Sequence, residues 1–87
     1  MLSNGQKNRV TVDIYGQKYT IVGPESKSHI RHVAEMVDQK MRETSTANPT
    51  LDIHKLAVLT AVNAMNDYLK LMEQYELLEI EYKKLKD

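Results

Sequence analysis

From Val10 onward, apolar and polar positions alternate: Val10, Val12 and Ile14 against Thr11, Asp13 and Tyr15. That period of two is the pattern of a half-buried strand. Gly16-Gln17 follows, and Lys18 to Val22 resumes a β-type composition. Glycine in the first central position predicts a type II′ two-residue turn. The register that results sets Tyr15 opposite Lys18, Ile14 opposite Tyr19, Val12 opposite Ile21 and Val10 opposite Gly23. The large apolar members of the last three pairs then share one face. Thr11, Asp13, Tyr15, Lys18, Thr20 and Val22 take the other. Gly23-Pro24 ends the hairpin.

The period then lengthens. Ser26 or Ser28 is placed to cap a helix whose apolar stripe is Ile30, Val33, Ala34, Val37 and Met41. Lys40 and Arg42 fall near its expected C-terminus, where cations suit the helix dipole. Thr44 to Thr50 is small and polar, contains Asn48-Pro49, and reads as a connecting loop. Thr50 or Asp52 starts a second helix, and no Gly or Pro interrupts it before Lys86. At 1.5 Å per residue that is a rod of roughly 50 Å, too long for a small head to cover.

The rod carries a seven-residue repeat. Ala61, Tyr68, Tyr75 and Tyr82 occupy one phase, and Ala57, Ala64, Leu71, Leu78 and Leu85 the other. These are a and d positions of a coiled coil, the expected surface for oligomerisation. Between Ile53 and Met72 the apolar surface widens to include Leu56, Val58, Leu59, Val62, Met65 and Leu69, as expected of a helix buried on several sides. Beyond Met72 it narrows to the seam, with Leu77 and Ile80 outside it as a second contact surface. The fold class is therefore α+β: a β-hairpin and helix head over residues 9–50, then one long coiled-coil helix over 51–87, oligomeric. Residues 1–8 read as a disordered tail.

Composition removes most other possibilities. Among 87 residues there is no cysteine, which excludes disulfides and thiolate metal sites and fits a cytoplasmic protein. Apolar runs are short and broken by charge, so neither a membrane anchor nor an export signal is expected. Twelve basic residues balance twelve acidic ones, which removes the general phosphate attraction of nucleic-acid binders. A chain this short buries little surface alone, so association is the expected source of stability. No phosphate loop, dinucleotide fingerprint or nucleophile elbow is present. His29 and His32, three apart, read as solvated side chains rather than a zinc site, and no pair of carboxylates is forced together by spacing. The chain reads as a non-enzyme with no cofactor, metal or small-molecule substrate. The same pattern has two rivals. A β-ribbon DNA-binding protein would place Asp13 against phosphates, and a generic coiled-coil adaptor would use the same heptads.

Three segments in order resemble one family: VTVDIYGQKYTI at 10–21, HVAEMVDQKMRE at 32–43, and LDIHKLAVLTAVNAMNDY at 51–68. They are similar to the ZapA family of bacterial cell division proteins. The resemblance implies a dimer formed through the head and the start of the long helix. Two dimers then join through antiparallel C-terminal coiled coils into a homotetramer. It also implies binding to filaments of the tubulin-like protein FtsZ, cross-linking of those filaments at mid-cell, and no catalytic activity. Gly16 matches the family's turn glycine. In some relatives an arginine implicated in FtsZ binding follows that glycine; here Gln17 stands there, with Lys18 next. Arg9, Tyr15, Gln17 and Lys18 are thus the candidate FtsZ-contacting residues, and an ordinary polar hairpin tip accounts equally well for the same four.

Overall fold

The computed structural model describes residues 7–86; the tail expected over 1–8 falls largely outside them, although Asn8 already belongs to the first strand. Four elements follow one another: β1 (Asn8–Ile14), β2 (Gln17–Gly23), α1 (Lys27–Ala47) and α2 (Ile53–Lys86). The two strands form an antiparallel hairpin, α1 packs chiefly against β1, and α2 leans on α1. The longest dimension is 52 Å, about the length of α2 itself.

The hairpin forms with a register different from the expected one. Ile14 pairs with Gln17, Val12 with Tyr19 and Val10 with Ile21. The turn is therefore Tyr15-Gly16, one residue earlier than the Gly16-Gln17 turn, and both residues have positive φ, 50° and 78°. Positive φ at both central residues is the type I′ geometry, which matches strand twist as type II′ does but puts glycine second. A register displaced by two residues leaves the strand side chains on their expected faces; Tyr15, expected on the outer face, becomes a turn residue and is drawn onto α1 instead. Val10, Val12, Ile14, Tyr19 and Ile21 thus still share the inner face, and Val10 and Val12 form the head's core with Ile30 and Ala34 of α1.

Helix α1 starts where Ser26 accepts a hydrogen bond from the His29 amide at 3.2 Å. It runs four residues further than expected, taking in Thr44 to Ala47 of the loop predicted to begin at Thr44. The hydroxyls of Thr44 and Thr46 donate back to the carbonyls of Lys40 and Arg42, so this polar segment satisfies itself inside the helix. Asn48 ends it, its amide nitrogens reaching back to Thr44. Lys40 and Arg42 consequently lie outside the last turn, and their partners are acids rather than the helix terminus. Of the expected stripe, Ile30, Ala34 and Met41 are buried, whereas Val33 and Val37 stay exposed.

Asp52 begins α2 by accepting from the Lys55 amide at 2.9 Å. Leu56 and Thr60 are its buried residues; with Met41 and Thr44 they account for the buried positions of the α1–α2 junction. An ion pair between Lys40 and Asp67 ties the helices together at the far end of that junction. Beyond it α2 continues without intramolecular cover.

Candidate functional site

Two surfaces matter: the tip of the hairpin and the uncovered flanks of α2. At the tip, Tyr15 occupies the left-handed region, where a side chain with a Cβ is uncommon and an aromatic one more so. Three residues of α1 hold it there. The Tyr15 amide donates to Asp38 Oδ1 at 2.7 Å, and its hydroxyl donates to Ser45 Oγ at 3.0 Å. The Arg42 guanidinium carbon lies 5.6 Å from the ring centroid, within cation–π range. Arg42 Nε also donates to Asp38 Oδ2 at 2.9 Å, so the acid and the base brace each other. That bond from Arg42, followed by the one from the Tyr15 amide, holds the Asp38 carboxyl below its ordinary range. The same pairing raises Arg42.

The four candidate contact residues are not one cluster. Tyr15 is half-buried and turned onto α1. Gln17 and Lys18 are exposed directly after the turn, and Lys18 Nζ lies 3.2 Å from Asp13 Oδ1 on the opposite strand. Arg9 pairs with Val22, five positions back along β1, so it sits roughly 17 Å from the tip. It does share the solvent face with Thr11, Asp13, Lys18 and Thr20. Sequence reasoning did not single out Tyr19, which points toward the core side yet remains 49% exposed because α1 lies under β1 rather than β2. The missing signal was the lateral position of α1, which alternation along a strand does not carry.

On α2, residues 100° apart divide the helix into strips of roughly 90° to 100° separation. The first strip, Leu56, Thr60, Asn63 and Asp67, faces α1. The second is the heptad seam. Tyr68, Leu71, Tyr75, Leu78, Tyr82 and Leu85 are all exposed, as are Ala57, Ala61 and Ala64. The third, Val58, Val62, Met65, Leu69 and Met72, lies on the far side and is exposed as well. At its start, Leu51, His54, Lys55, Val58, Leu59 and Val62 line an open apolar groove of about 450 Å³. Within one chain the wide surface expected to be buried on several sides is covered on one.

Among the described residues no group of three His, Cys, Asp or Glu side chains is arranged to hold a metal ion, and no helix is long and apolar enough to cross a membrane. The arrangement offers exposed apolar strips along α2 and a separate polar tip.

Comparison with known proteins places these surfaces in context. A family model described as "Cell division protein ZapA" matches residues 10–87. The cell division protein ZapA of Bacillus pumilus is 65% identical over 82 residues, spanning 94% of this chain and 96% of the relative. That of a Geobacillus species is 64% identical over 86 residues, 99% of both. Among solved structures, a ZapA mutant dimer from Geobacillus stearothermophilus superposes with a TM-score of 0.67 at 54% identity, over 95% of this chain and 96% of the other.

Proposed function

The chain belongs to the family of the cell division protein ZapA, and on that premise we propose that it binds FtsZ filaments through its heads and cross-links them, promoting assembly of the cytokinetic ring at mid-cell. The active form is a homodimer or homotetramer held by α2. One observation carries this reading: α2 leaves two apolar strips open while the head presents a separate polar tip. Exposed apolar strips of this length are association surfaces. Similarity to a solved dimer of the same family supports the first association step.

The mechanism is multivalency. A single tip binds a filament weakly, but an assembly presents several tips on one stiff rod. Once one is attached, the others bind at a high effective concentration. The rod, with a 34-residue helix, sets the distance between bridged filaments. Exposed Gln17 and Lys18 lead the tip, and Arg9 extends the contact along the outer face of the hairpin.

Co-sedimentation with GTP-assembled FtsZ, against unassembled FtsZ as control, tests the proposal. The expected result is enrichment in the polymer pellet and more FtsZ pelleted than without the protein. No enrichment from a chain shown to be oligomeric would remove the filament-binding reading and leave an adaptor for another partner.

A further inference from the structure

The contacts between α1 and the hairpin turn are more elaborate than the core requires. The apolar core of the head is built from Val10, Val12, Ile30 and Ala34, with Ile14 and Ile21 packed against it. Asp38, Arg42 and Ser45 lie outside that cluster, spaced four and three apart on a neighbouring strip of α1. Each of them touches Tyr15. A type I′ turn forms most readily with Asn or Asp followed by Gly. This sequence places a tyrosine at the first central position instead, with φ at 50°. The turn is thus held from outside by a helix rather than by its own residues.

A two-stranded ribbon lying on one helix would otherwise pivot at its tip, because an isolated hairpin is marginal in water. Three anchors on one residue remove that freedom. The amide contact fixes the turn's backbone, the hydroxyl contact fixes the ring's far end, and Arg42 closes over its face. The next residues along the chain are Gln17 and Lys18, and Lys18 is itself braced against Asp13.

We propose that Asp38, Arg42 and Ser45 are positioning residues, which through Tyr15 hold the exposed Gln17–Lys18 edge in the single orientation competent to bind the partner filament. The proposal rests on the reading of the hairpin tip as the partner-binding surface. None of the three need touch the partner. They raise the fraction of heads already in the binding geometry, and apparent affinity scales with that fraction. A tip released to occupy the competent orientation about a tenth of the time would bind about tenfold more weakly.

The experiment is a mutant cycle read by co-sedimentation with assembled FtsZ, with helicity and oligomeric mass checked for every variant. The set is wild type, Asp38→Ala, Asp38→Asn, the tip variant Gln17→Ala/Lys18→Ala, and the tip variant combined with Asp38→Ala. Asp38→Ala should weaken binding about tenfold with helicity and mass unchanged. Asp38→Asn, whose amide oxygen still accepts from the Tyr15 amide but whose nitrogen cannot accept from Arg42 Nε, should restore part of it. In the tip variant, adding Asp38→Ala should cost nothing more, because the residues it positions are gone. Additive losses would overturn the proposal, since general weakening of the head adds where positioning does not. Wild-type binding by Asp38→Ala would overturn it too. A tip variant that binds as wild type would show that the tip is not the contact, and the positioning role falls with it. If wild type itself fails to sediment, the filament-binding reading fails and removes this one as well. Should Asp38→Ala not fold, Tyr15→Phe substitutes for it, removing the hydroxyl contact to Ser45 while leaving the amide bond intact; it should give a smaller loss that also vanishes in the tip variant.

Discussion

Leu78→Glu tests whether the heptad seam holds the assembly together. Leu78 is 63% exposed in the single chain. Full burial of a leucine side chain is worth about 1.5–3 kcal/mol, so closing the seam over the exposed part contributes roughly 1–2 kcal/mol per copy. Two copies meeting across the seam gain about 2–4 kcal/mol, which the substitution forfeits before any cost of placing a carboxylate there. At 1.4 kcal/mol per decade, the association constant should fall roughly 30- to 1000-fold. Sedimentation equilibrium across a wide concentration range measures the change directly, with circular dichroism to verify that α2 stays helical. Leu85→Glu is the internal comparison. It lies in the last described turn of α2, where helices fray, and should weaken assembly less. A Leu78→Glu protein with the same mass as wild type throughout the range would refute the seam assignment, whatever the heptad pattern looks like.

Three further outcomes follow from the head and its junction with α2. Leu56→Ala should lower stability by about 2–3 kcal/mol, near the low end for a buried leucine because a two-helix junction can partly collapse; Leu56 is 2% exposed. Thermal unfolding at fixed protein concentration reads it, and a change below about 0.5 kcal/mol would deny the junction its role. Gly16→Ala should cost about 1–2 kcal/mol by backbone strain alone, because φ is +78° and an added Cβ meets nothing within 4 Å; an unchanged denaturation midpoint would mean that the turn differs in solution. The Asp38 carboxyl, held down by Arg42 and then by the Tyr15 amide, should keep the turn latched through neutral pH. A depressed carboxyl contributes stability fully above its unfolded value, about 3.9, and loses it as pH falls through the lower folded value. The Tyr15 amide resonance should therefore titrate with a midpoint below 3.9, moving up toward it in Arg42→Ala; a wild-type midpoint at or above 3.9 would contradict the bracing.

The alternation of Val10, Val12 and Ile14 made the hairpin and its faces legible, and two candidate caps for each helix, Ser26 or Ser28 and Thr50 or Asp52, bracketed the helix starts that Ser26 and Asp52 make. The turn was not legible. Gly16 fits either central position of a tight turn by its own conformational freedom. What selects the second is the hold of α1 on Tyr15, through Asp38, a residue 23 positions away. The end of α1 misled for a local reason: Thr44, Ser45 and Thr46 have loop-like chemistry, yet two of these hydroxyls bond to the helix's own carbonyls and the third receives the Tyr15 hydroxyl. Of the candidate site, the α2 strips follow directly from spacing. The separation of Arg9 from Lys18 depends on hairpin register, which the turn decides.

The geometry of α2 bears on how many chains must meet. A helix laid against another covers a stripe of about 100°, and α1 already takes one such stripe over the first half of α2. The seam and the strip from Val58 to Met72 lie on separate flanks, roughly 90° apart about the axis, so one added helix covers one of them and leaves the other in water. Val33, Met36 and Val37 on α1 are exposed as well, so a second copy supplying both helices would cover more of this surface than a lone helix. Past Met72, α1 no longer accompanies α2, and Leu77 and Ile80 lie off the seam. There too a single partner helix leaves apolar side chains uncovered. This uneven demand favours two successive associations, one around the first half of α2 and one along its C-terminal half. Loss of mass in Leu78→Glu that stops at a smaller stable assembly would match that order, whereas collapse to single chains would place the whole association energy on the distal seam.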